Sequence, residues 1–186
     1  KFQRCLDRYY DYIEDLDNSE FVISLDNDDE QMNCPLARQY MDSKENLKYV
    51  YGNNTSKIMA INADIPEGEW DILVLVSDDM IPEIPGFDQI IRSKMKQHYP
   101  DTDGILWFFD GWRRDLNTLC ILGRKYYDRF GCSYHPDYRS FWSDAEFTDV
   151  GNKLNKQTFI DKVIIRHLHP DIVLEDKESR IKFAEF

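Results

Sequence analysis

The chain has 186 residues, 42% hydrophobic and 14% aromatic, which is ample material for one domain with a sizeable core and too apolar for a disordered segment. Its 35 acidic residues against 23 Lys and Arg give a net charge of −12, which argues against a broad phosphate-contacting surface of the kind that drives nucleic-acid binding. Local basic spots such as Arg113-Arg114 do not change that balance.

In chain order, Phe2, Cys5, Leu6, Tyr9, Ile13 and Leu16 recur at helical spacing and predict an amphipathic helix at the start. A helical start is unusual for an α/β fold, so the expectation is that a strand precedes residue 1 in the intact protein. Glu20-Phe-Val-Ile-Ser-Leu25 reads as a short strand running into Asp26-Asn-Asp28-Asp29-Glu30. That acidic stretch starts like a calcium loop, but Gln31 stands where glycine is required and Ala37 where the bidentate acid is required, which rejects an EF-hand. Leu47 to Tyr51 reads as a strand, Gly52 to Asn54 as a turn, and Ser56 to Ala63 as a helix capped by Thr55 or Ser56.

Asp71-Ile-Leu-Val-Leu-Val-Ser77-Asp78-Asp79 is the most informative run: five consecutive apolar residues end in paired carboxylates. It predicts a central strand buried on both faces, with charge at its carboxyl end, where open α/β sheets bind ligands. Two acidic strand ends, at Asp26 and at Asp78-Asp79, would repel anions unless a cation is present; they predict a divalent metal and an oxygen-rich, phosphorylated ligand. A helix follows over Phe87 to His98, introduced by Pro82 and Pro85, with Phe87, Ile90, Ile91 and Met95 inward.

Beyond Pro100, Gly104 to Phe109 and Thr118 to Leu122 read as strands around the polar loop Asp110 to Asp115, a switch to mixed or antiparallel pairing. A short helix over Arg124 to Phe130 ends at Gly131, another helix begins near Ser143 or Asp144, and Val163-Ile-Ile165 forms a last strand before Arg166-His167-Leu-His169-Pro170. Cys5, Cys34, Cys120 and Cys132 lack metal-ligand spacing and fit a reducing compartment. No stretch reaches bilayer length and no signal peptide is visible, so a cytoplasmic protein without a membrane span is expected.

The strand ending in Asp26, the loop and helix with Lys57 and Asn62, and Trp70-Asp71-Ile-Leu-Val-Leu-Val-Ser-Asp78-Asp79-Met-Ile-Pro82 together resemble a GT-A glycosyltransferase of the family-2 kind. Phe141-Trp-Ser-Asp144-Ala-Glu146-Phe and His167-Leu-His169-Pro resemble that group's acceptor-side acid and final metal ligand. The resemblance runs from about Phe2 to Pro170 and lacks the family's first strand. It implies one GT-A domain over 1–186: a mostly parallel central sheet with flanking helices, a nucleotide-sugar half at 1–100, and a smaller mixed acceptor half at 101–186.

The resemblance further implies a role for each residue. Asp78 would contact the ribose, and Asp79, with His167 or His169, would hold Mg2+ or Mn2+ against the diphosphate. Asp26 and Asp28 would hold base or ribose, while Lys57 and Asn62 would complete the nucleotide-sugar pocket. Asp144, or alternatively Glu146, would be the general base on an acceptor hydroxyl in an inverting transfer, with Trp112 and Trp142 against the acceptor sugar. Simpler readings stand beside these: a charged turn for Asp28 to Glu30, first-turn helix acids for Asp144 and Glu146, surface histidines, and core packing for Trp107. A non-catalytic domain of the same fold, serving nucleotide-sugar binding or interaction, and a sugar nucleotidyltransferase are the alternative functions.

Overall fold

The computed structural model describes residues 1–168. Its elements are α1 (Phe2–Tyr12), β1 (Phe21–Asp26), α2 (Pro35–Asp42), β2 (Leu47–Gly52), α3 (Lys57–Ala63), β3 (Ile72–Leu75), β4 (Met80–Pro82), α4 (Phe87–His98), β5 (Ile105–Phe108), β6 (Cys120–Gly123), α5 (Arg124–Tyr127), α6 (Ser143–Lys153), β7 (Gln157–Ile160) and β8 (Ile165–His167). The expected α/β class holds.

The strands form a mixed sheet in the order β3-β6-β5-β7, a separate parallel pair β1-β2, and an antiparallel ribbon β4-β8. Within the mixed sheet only β5 and β7 run parallel; β6 is antiparallel to both β3 and β5. The central sheet is therefore small and not mostly parallel, correcting the sequence expectation. An apolar run reports burial, and strand direction is decided by connections that its periodicity does not encode. β3 and β5, each antiparallel to β6, share a direction, so their carboxyl ends open on the same side of the sheet.

Facing alternates along the fully buried strands β5 and β6. Leu106, Phe108 and Ile121 face one cluster with Cys5 and Tyr9 of α1 and Phe87, Ile91 and Met95 of α4. Ile105, Cys120 and Leu122 face the other, with Tyr126 of α5 and Phe147 of α6. Helices thus cover both faces of the sheet, as the two-residue side-chain period of its strands requires. Each fully buried aliphatic or aromatic side chain here contributes about 1.5–3 kcal/mol relative to exposure. The strand expected to be most buried is not the core strand: all four residues of β3 stay partly exposed and Val76 is 41% exposed. Among the described residues β3 lies at an edge and pairs with β6 alone. Trp107 packs edge-on against Phe159 at 5.0 Å, as its core reading implied.

Local chemistry explains several boundaries. Ser56 caps α3, its Oγ accepting from Met59 N at 3.1 Å. Pro35 opens α2, where its missing N–H costs nothing; this helix was not foreseen in the polar stretch after Asp26. The short strands β4 and β7 were likewise missed, and the last strand lies at Ile165–His167, two residues later than expected. The end of α1 is fastened to the start of α4 because the buried Asp88 carboxylate accepts from Glu14 N and Asp15 N, both at 3.0 Å. Gly86 precedes α4 with φ 73°, and a Cβ there would collide with the Glu14 carboxylate.

Asp103 is 6% exposed and bridges Arg129 at 2.7 Å and Lys156 at 2.8 Å. Burial pushes its carboxyl up, but the hydrogen bonds from Lys156 and Arg129 outweigh that, so it titrates below its ordinary range. A depressed folded value gives stability that is complete above the unfolded value of 3.8 and is lost as pH falls through the lower folded value. Asp103→Asn is expected to lower the melting temperature at pH 7, with the gap to wild type closing below pH 4 in thermal melts followed by circular dichroism.

The four cysteines are free thiols. Burial, with the Asp78 charge next, pushes Cys5 up to about 12, and burial pushes Cys120 still higher. Iodoacetamide at pH 8 is expected to modify the partly exposed Cys34 and spare Cys5 and Cys120, as read by peptide mass spectrometry.

Candidate functional site

The turn after β3 is closed by Met80 N donating to Ser77 O at 3.0 Å, which separates the two acids. Asp78 is half-exposed, with Lys1 Nζ 3.6 Å from its carboxylate, whereas the Asp79 side chain is only 19% exposed. Burial raises the Asp79 carboxyl, yet hydrogen bonding with His167 and from the Ser77 hydroxyl overcomes this and holds it well below the usual carboxylate range. Asp79 is therefore an anion kept in a partly desolvated place.

His167 reaches Asp79 because β4 and β8 pair with Met80 opposite His167. Its Nε2 lies 3.6 Å from Asp79 Oδ2, and its Nδ1 lies 4.0 Å from Oδ2 of Asp110. Leu168 N donates to Asp79 O at 2.7 Å, and His167 N to Asp110 O at 3.0 Å. β8 thus stitches together the turn after β3 and the loop after β5.

Asp110 was not singled out in the sequence, although it follows an apolar strand just as Asp26 and Asp78 do. It is 1% exposed. Its Oδ1 accepts from Trp112 N and Arg113 N, both at 2.7 Å, and its Oδ2 accepts from Thr118 Oγ1 at 2.7 Å. The following Gly111 has φ 93°, and a Cβ there would meet the Arg166 guanidinium.

The acceptor-side candidates adjoin this loop. Thr148 Oγ1 donates to Asp144 O at 2.7 Å and accepts from Asn117 N at 3.0 Å, tying the first turn of α6 to the β5–β6 connection. The Arg113 guanidinium is held by hydrogen bonding to Asp115 and also feels the charges of Asp110 and Asp144. The Glu146 charge is felt by the Cys132 thiol, already raised by burial. The Asp144 carboxylate also accepts from Ala145 N at 2.9 Å. Trp112 is 37% and Trp142 74% exposed, the latter with φ 73° at the start of α6.

The nucleotide-side candidates lie apart. Asp26 ends β1, exposed, with Asn54 Nδ2 3.4 Å from its carboxylate. Asn27, Asp28, Asn53 and Asn54 line an open depression of about 350 Å3 that does not include Asp78 or Asp79. Lys57 is the exposed first residue of α3. Asn62 fastens the fold: its Oδ1 accepts from Ser133 N at 3.0 Å and Ser133 Oγ at 2.8 Å, and its Nδ2 donates to Tyr134 O at 2.7 Å.

Among the described residues, no three His, Cys, Asp or Glu side chains gather as a ready-made metal cage. Asp79 and His167 supply two donors, an arrangement that suits Mg2+ or Mn2+ only when substrate phosphates complete the shell. His169 lies outside the described residues. No helix among the described residues is long and apolar enough to cross a membrane. Comparisons with protein-family models, with curated proteins and with solved structures found no match.

Asn62→Ala removes both sides of an amide clamp. It is expected to destabilise the protein by about 1–3 kcal/mol in urea unfolding.

Proposed function

We propose that this chain is a metal-dependent glycosyltransferase of GT-A type that moves a sugar from a nucleotide-diphosphate donor to a hydroxyl acceptor. The observation that carries the reading is the Asp79–His167 pair just past β3, an acid and an imidazole 3.6 Å apart whose oxygen and nitrogen atoms are able to ligate a cation. Bound Mg2+ or Mn2+ would supply charge neutralisation at the departing diphosphate. Asp79 and His167 hold the cation, and the more exposed Asp78 takes the ribose. Asp26 and Asp28, beside the asparagine-lined depression, contact the base or ribose, and Lys57 pairs with a phosphate or helps order the site.

On the acceptor side, Asp144 accepts the proton of the attacking hydroxyl as the new carbon–oxygen bond forms and the bond to the diphosphate breaks, inverting the anomeric centre. Asp144, whose charge is felt by Arg113 of the β5–β6 loop, takes this role ahead of Glu146, and Trp112 and Trp142 offer exposed rings to the acceptor. A second reading, a non-catalytic nucleotide-sugar-binding or interaction domain, draws on the Asp144 contact with Ala145 N, which is what an ordinary first-turn helix acid makes.

The test is calorimetric titration with nucleoside diphosphates and nucleotide sugars, with and without Mn2+. Wild type is expected to bind one of them only with Mn2+, and Asp79→Ala to lose that binding at least about 100-fold. Unchanged donor affinity in Asp79→Ala would sink the assignment. Asp144→Asn is expected to keep donor affinity and lower turnover by about 100- to 10,000-fold in a sugar-transfer assay. Donor binding without any turnover in wild type favours the second reading.

A further inference from the structure

Among the described residues β1 and β2 pair only with each other, so no backbone ladder joins them to the mixed sheet or to the β4–β8 ribbon. Their apolar side chains are separate too. Leu25, Ala37 and Met41 are buried outside both clusters that pack the mixed sheet, and Phe21 alone of β1 packs against the larger one.

α1 stands between this segment and the rest. Cys5 and Tyr9 belong to the larger cluster, and the Tyr9 hydroxyl donates to Met80 O at 2.7 Å, which seats the helix on the body of the protein. Gln3, Asp7 and Tyr10, at i, i+4 and i+7, line a second face. The Tyr40 hydroxyl reaches that face, 2.8 Å from Asp7 Oδ1 and 3.1 Å from Gln3 O. The Lys44 ammonium donates to the same Asp7 oxygen and stands 5.0 Å from the centre of the Tyr10 ring and 4.9 Å from that of Tyr40. Tyr10 in turn donates to Glu45 O at 2.6 Å and stacks on Phe21 at 4.7 Å. Only 19% of the Lys44 side chain is exposed, and a cation held this way between a carboxylate and two aromatic rings is bound more firmly than one in water.

The chain is anchored on either side of the segment. Asn18 O and Ser19 Oγ both accept from Arg92 of α4, and α3 is clamped by Asn62 to Ser133 and Tyr134. We infer that residues 20–52 open from the protein as one cooperative unit, latched to α1 by Lys44 seated among Asp7, Tyr10 and Tyr40. The unit carries Asp26 and Asp28 while Asp79 stays on the body, so release of the latch moves one set of acids relative to the other. Nothing in this opening depends on the glycosyl-transfer reading.

Native-state hydrogen exchange of the 186-residue chain, followed by NMR as urea is raised below the unfolding transition, reads the opening directly. In wild type the amides of β1, α2 and β2 are expected to converge on one opening reaction, with a smaller urea dependence than the amides of β5 and β6. Lys44→Met keeps an apolar stem against the two rings and removes the ammonium. It is expected to speed exchange throughout the unit about 5- to 50-fold and to leave β5 and β6 unchanged. Tyr40→Phe, which keeps the ring and loses the bonds to Asp7 and Gln3 O, is expected to act in the same direction and serves if Lys44→Met does not fold. A wild type whose β1 and β2 amides share the opening free energy and urea dependence of β5 and β6 overturns the unit, whatever the variants do. Variants that leave exchange in the unit unchanged, or that speed β5 and β6 equally, overturn the latch.

Discussion

Everything at the candidate site depends on the register of the β4–β8 ribbon. Pairing Met80 with His167 brings the chain's far end back to the turn after β3, and the two backbone bonds to Asp79 O and Asp110 O hold it there. A slip of one residue would turn the imidazole to the opposite face of the ribbon, because side chains alternate with a period of two. Register is protected by Ile164 and Ile165, both fully buried in the larger core cluster, so that core packing and site geometry are one constraint.

The second constraint is electrostatic. Asp79 holds its negative charge where burial disfavours it, within a chain of net charge −12, and the carboxyl of Asp110 is buried beside it. The two carboxyl groups differ in their partners. Asp110 is satisfied by three donors, two of them backbone N–H groups, and is committed to its own loop. Asp79 relies on a histidine and a hydroxyl, partners that a cation can replace or share. The same anionic surroundings disfavour a free anion at this partly desolvated place.

Much of this was legible in the sequence where a local pattern coincided with a local cause. The apolar face of α1, the Ser56 cap and the burial of Phe87, Ile91 and Met95 follow from spacing and side-chain chemistry alone. The abrupt ending of an apolar run in Asp78-Asp79 and the later His167 were both legible as candidates, and the fold brings Asp79 and His167 within 3.6 Å. Pairing was not legible. β3 carried the signature of a central strand and became an edge, while Cys120–Gly123, with a similar signature, became the centre. β4 is three residues long and contains a proline, and β7 begins with Gln157 and Thr158, so neither carries a strand signal of its own. Asp110 was overlooked because it was read as part of a polar loop. Its partners, Thr118 and His167, lie 8 and 57 positions away, and only the fold makes them neighbours.

The edge position of β3 has a consequence for how the molecule behaves among its own copies. Ile72 to Leu75 offers a row of peptide groups unpaired on one side among the described residues, with no lysine, proline or inward charge to blunt it. Four residues span about 13 Å, a short template for an added strand. What opposes such addition is long-range repulsion between molecules of like charge, which reaches only about 8 Å at physiological ionic strength. Colloidal stability is therefore expected to rest on net charge rather than on edge design, and to weaken as salt is raised or as pH is brought down toward 4.7.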